Sequence, residues 1–85
     1  TLPINYFLAM YEITKKATFL IQAFEAGIIE KSTPLDLLRF CIEVVKNKDI
    51  LDQNIISVCK DKIEEIKRKH IGSKLLDIEL RKLGI

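Results

Sequence analysis

Between Asn5 and Ala26 the apolar side chains recur as Phe7, Met10, Ala17, Ile21 and Phe24, with a second row at Ala9, Ile13, Leu20 and Ala23. Spacings built from threes and fours predict one long helix with a wide buried face. Its polar strip is narrow, essentially Glu12, Lys15, Lys16, Gln22 and Glu25, so neighbours should cover it on two sides. Gly27 can adopt the left-handed conformation that stops such a helix, with Ile28 and Ile29 adding an irregular last turn.

A start signal follows at Ser32-Thr33-Pro34-Leu35-Asp36. Thr33 suits the N-cap, Pro34 the first helical position, and Asp36 can reach back as a short capping box. The second helix runs to Lys46, with Leu35, Leu38, Ile42 and Val45 on one face and Leu37, Cys41 and Val44 beside it. Asn47-Lys48-Asp49 makes a tight connection. Asp49 or Asp52 can cap a third helix, whose inner row is Ile56, Cys59, Ile63, Ile66 and His70, flanked by Ile55 and Val58. Alternating spacings of three and four are what a helix seam requires.

Gly72 ends that helix and Ser73 can cap a short fourth one. There Leu76, Leu80 and Leu83 form one row, Leu75 and Ile78 lie alongside, and Gly84 closes the element. About ten residues do not make a stable helix in water, so this one must dock on the rest of the chain or on another protein. No strand alternation, internal repeat or low-complexity tract is present. The predicted class is all-α: a small bundle of three main helices (5–26, 34–46 and 50–71) with a C-terminal helix over 74–83.

Size changes the picture next. With 85 residues the chain can hold one helical domain spanning 1–85, with one modest core and no cleft between lobes. Thr1 in place of a methionine and an apolar Ile85 suggest a piece excised or processed from something longer. Charge is nearly balanced, 14 basic against 12 acidic side chains, unlike a disordered polyelectrolyte or a strongly basic nucleic-acid binder. No run of 18 apolar residues exists to cross a bilayer, and the amphipathic faces lack the lysine-rich border of a membrane-surface helix. Two cysteines inside helical patterns, with no secreted disulfide framework, place the protein in the cell, in the cytoplasm.

Chemistry is sparse. Cys41, Cys59 and His70 are the soft ligands and nucleophile candidates, and geometry keeps them from acting together. Cys59 and His70 on one helix are about 16 Å apart along the axis, and His70 is about 22 Å from Cys41 if the second and third helices form a hairpin. Catalysis needs about 3 Å. The same hairpin brings the two thiols within about 6 Å of level, which permits a disulfide without demanding one. Both thiols read as small core hydrophobes. Asp61, Glu64, Glu65, Asp77 and Glu79 alternate with lysine and arginine on wet faces, Glu43 falls opposite the Leu38/Ile42/Val45 row and pairs with Arg39 one turn back, and the glycines punctuate helices instead of cradling phosphate. The reading therefore expects no catalytic residues, no metal site and no cofactor.

Two surfaces remain as candidates. Tyr6, Tyr11 and Phe19 on the first helix, with Leu76, Leu80 and Leu83 on the tail, are the expected contacts with another protein chain, in a homo-oligomer or a larger complex. The alternative is a nucleic-acid contact through Lys67, Arg68, Lys69 and Lys74, although Glu64 and Glu65 sit one turn back and neutralise part of that charge. An apolar fraction of 48% in so short a chain favours the first. The function expected is a non-catalytic interaction module, an accessory subunit or adaptor domain.

Overall fold

The computed structural model describes residues 3–82, without the side chains of Ile28 and Lys82. It is all-helical: α1 (Ile4–Thr14), α2 (Thr18–Glu25), a single 3-10 turn (Ile28–Glu30), α3 (Pro34–Lys46), α4 (Gln53–Lys69) and α5 (Lys74–Lys82). Leu83 and Gly84, expected to finish and close the last helix, lie outside the described residues.

The long first helix expected over 5–26 is two helices. Lys15 is in the left-handed region, φ 58° and ψ 22°, and its N–H bonds to the Tyr11 carbonyl at 2.7 Å to close α1. Thr14 supplies the local cause. Its hydroxyl donates to the Met10 carbonyl at 2.7 Å and accepts from the Lys16 N–H at 3.3 Å, the side-chain competition that makes threonine a poor interior residue. Ending α1 at Thr14 also changes its inner face. Ile4, Phe7 and Leu8 are buried and Tyr11 packs against them, a row at i, i+3, i+4 and i+7, whereas Ala9 faces solvent and Ile13 is 78% exposed. α2 then buries Leu20 and Ala23 completely. Gly27 stops it at φ 70°, and the irregular turn at Ile28–Glu30 follows as the sequence predicts.

α3 is the hub, packed against α1, α4 and α5. Its start follows the sequence signal: Pro34 is in the first turn, and the Thr33 hydroxyl accepts from the Asp36 N–H at 3.4 Å. Leu37, Leu38, Phe40, Cys41, Ile42 and Val44 are all buried, so α3 is apolar on most of its circumference, as a central helix must be. α4 begins at Gln53, later than residue 50, because the Asp52 carboxylate caps the Asn54 N–H at 2.7 Å. Its inner row Ile56, Cys59, Ile63 and Ile66 packs on α3. It ends at Lys69, with half-buried His70 as its C-cap.

Gly72, at φ 86°, turns the chain into α5. Ser73 caps it weakly, its hydroxyl 3.5 Å from the Leu76 N–H. α5 packs on α3 of its own chain. The total accessible surface is 5550 Å², close to the roughly 5,200 Å² typical of a monomer of this mass.

Candidate interaction site

Among the described residues the large apolar side chains left in water are Tyr6, Ile13, Ile50, Val58, Ile71, Leu75 and Ile78. Three of them cluster in sequence at the C-terminal end. Leu75 and Ile78 are one turn apart on α5, 67% and 48% exposed, and Ile71 in the preceding turn is 86% exposed. A spacing of three puts Leu75 and Ile78 on a single helix face.

The other side of α5 explains why this face is outward. Leu76 is 6% exposed within the core and Leu80 packs against that core. Between them Glu79 turns inward, 9% exposed, and accepts a hydrogen bond from Arg39 of α3 at 2.9 Å. The carboxylate in turn holds the Arg39 guanidinium above its ordinary pKa, chiefly through this hydrogen bond. A buried carboxylate is tolerable only with such a partner, so the pair fixes which side of α5 faces α3. The expected docking row is thus reversed: Leu76 and Leu80 serve the core, Leu75 and Ile78 remain outside, and Leu83 is not described.

The aromatic half of the expected surface also divides. Tyr6 is 42% exposed and meets Phe7 edge to face, with ring centroids 5.3 Å apart. Tyr11 is half-buried, and its hydroxyl accepts from the Asn47 side-chain amide at 2.9 Å. It ties the end of α1 to the end of α3 and so acts as an internal fastening. Phe19 is half-buried on α2.

The basic knob at the end of α4 is partly cancelled. Lys67 is 3.5 Å from Glu64, and Glu65 is held between Lys69 at 2.8 Å and Lys62 at 3.3 Å. Hydrogen bonds from Lys69 and then Lys62 keep the Glu65 carboxyl below its ordinary pKa. Arg68 and Lys74 are exposed. Lys67 and His70 also border an apolar groove of about 310 Å³ between α4 and α5, floored by Ile66, Leu76 and Leu80.

Cys41 and Cys59 are free thiols with no exposed surface, facing one another across the α3–α4 seam. Their mutual hydrogen bond, together with burial, raises the Cys41 pKa far above that of a free thiol. Such a sulfur is a poor nucleophile. Among the described residues no three His, Cys, Asp or Glu side chains converge to hold a metal ion, and no helix is long and apolar enough to cross a membrane. Compared with family models, with characterised proteins and with solved structures, the chain matches none.

Proposed function

We propose that this chain is a non-catalytic helical interaction module, an accessory subunit or adaptor domain of the cytoplasm, arranged as a small bundle that binds another protein. The observation that carries the reading is the double-sided last helix: Leu76 and Leu80 serve its own core, while Leu75 and Ile78, next to Ile71, remain in water. Exposed apolar side chains that cluster mark interaction sites more often than scattered ones do. Tyr6 is a second contact on α1. Neither catalysis nor a cofactor enters the reading, and cysteines used as core hydrophobes favour a reducing compartment.

The test compares the wild type with Leu75→Ser/Ile78→Ser, two exposed positions where the substitution should leave the fold intact. Light scattering over a concentration series gives the mass, and quantitative enrichment from cells of the source organism gives the bound proteins. Self-association, or a retained set of proteins that the double variant loses, is the expected result. A monomer that retains the same proteins in both forms would overturn the reading.

A further inference from the structure

The corner between α1 and α2 is a short junction with helix-forming sequence on both sides. Lys15 holds the bend in the left-handed region, at φ 58°, a conformation that disfavours any residue with a Cβ. Ala17 is already in the right-handed helical region, at φ -62° and ψ -15°, so turning Lys15 and Lys16 helical joins the two helices into one. Lysine and alanine are strong helix formers, and neither proline nor glycine interrupts residues 4–26. α2 begins with no side-chain cap and no acidic residue in its first turn, and in a straight helix its first amides donate to the last carbonyls of α1. The apolar pattern also carries across the bend: Ile13, Ala17, Leu20 and Phe24 follow at intervals of four, three and four. In the bent form Ile13 is 78% exposed and has no place in the core.

Straightening within one chain would lift α1 from its seat, baring Ile4, Phe7 and Leu8 and the part of α3 against which α1 packs. A second straightened copy removes that loss, because the α1 of each chain can fill the seat left by the other. The contacts of α1, including the Tyr11–Asn47 hydrogen bond, are then remade between chains. The occupant is defined by the fold itself, since the seat is the one that α1 fills in the monomer. We propose that the chain forms a dimer with a second copy by exchanging α1, with Lys15 as the hinge and a straight helix over residues 4–25 in each copy. The hinge segments pass each other at the two-fold axis, where Ile13 gains a neighbour. Charge there is mixed: Glu12, Lys15 and Lys16 leave one net positive charge per chain, and in the straight helix Glu12 stands three and four residues before the two lysines, the favourable order.

Exchange requires α1 to leave the core first, so the dimer should form slowly in concentrated protein warmed toward its melting range. It should then persist after cooling and dilution, with its mass read by light scattering. Nitroxides at Asn5→Cys and Glu25→Cys, two exposed positions, identify the exchange by their distance, attached to the folded protein while Cys41 and Cys59 are buried. Along a straight helix these twenty residues span about 30 Å, whereas in the monomer α1 packs back on α2 and the separation is shorter. Labelled chains diluted in unlabelled protein report the distance within one chain. Lys15→Gly relieves the bend and weakens the straight helix, about tenfold per chain, and so should lower the dimerisation constant about a hundredfold. Thr14→Ala removes the hydroxyl that competes for the Met10 carbonyl and should raise the constant about tenfold. Ile13→Ser should lower it while leaving the monomer's melting temperature nearly unchanged.

The exchange does not use the outer face of α5, so Leu75→Ser/Ile78→Ser should leave it unchanged, and it stands or falls apart from the interaction reading above. A chain that stays monomeric after this treatment, in the wild type and in Thr14→Ala alike, would overturn the proposal. A dimer in which the Asn5–Glu25 distance equals that of the monomer would also overturn it, by placing the second copy on another face. A dimer strengthened by Lys15→Gly would remove Lys15 as the hinge.

Discussion

The two ends of this small core are organised on different terms. α3 and α4 each begin at a side-chain cap, Thr33 and Asp52, and each presents a buried row at regular spacing. α1 and α2 have no side-chain cap and no acidic residue in the first turn, and a left-handed lysine divides them. Where capping and periodicity agree, local chemistry decides the element. Where a run is simply apolar, its length is settled by what it packs against and by one residue able to break it.

The contrast is tested first in the hub. Phe40 has no exposed surface, so Phe40→Ala should lower stability by about 3–5 kcal/mol, enough to unfold much of a domain this small. Chemical denaturation monitored by circular dichroism measures it, and a loss below about 1 kcal/mol would mean that α3 is not central. A smaller effect of opposite sign belongs to the other region. Lys15 has a positive φ that costs a side-chain-bearing residue about 1–2 kcal/mol, and glycine gives part of this back through its more flexible unfolded chain. Lys15→Gly should therefore stabilise by about 0.5–1 kcal/mol. A continuous helix through this position would instead be weakened by glycine, so the sign alone separates one helix from two.

The smallest effect concerns acid. The Glu65 carboxyl titrates lower in the folded chain than in the unfolded one, because Lys69 and Lys62 donate to its charged form. Its contribution is complete above the unfolded-state value, about 4.3, and is lost as pH falls through the lower folded value. Melting temperatures from pH 6 downward should fall less for Glu65→Gln than for the wild type once that range is entered. Parallel curves would mean that the α4 ion pairs add nothing to stability.

Much of α3 and α4 was legible because each carries its boundary within a few residues. Thr33-Pro34 and Asp52 are local signals, and the row Ile56, Cys59, Ile63 and Ile66 needs only counting. The break at Lys15 was not legible in the same way. Apolar positions on both sides align well enough to suggest one helix, and the hydroxyl of Thr14 decides otherwise. The pattern Ile4, Phe7, Leu8 and Tyr11 was present all along, but it stands out only once α1 is ended at Thr14. For α5 the difficulty was distance. Two apolar stripes fit a helical period equally well, and the choice between them is made with Arg39, forty residues away from Glu79. The internal tie of half-buried Tyr11 was hidden for a similar reason, since its hydrogen-bonding partner Asn47 lies in another element.

The sheltered sulfurs across the α3–α4 seam make the folded protein convenient to label. With Cys41 and Cys59 shut away from solvent, a cysteine introduced at exposed Glu12 should be the one a maleimide dye reaches first. A fluorophore could then be attached at a single chosen point while both native thiols stay in place.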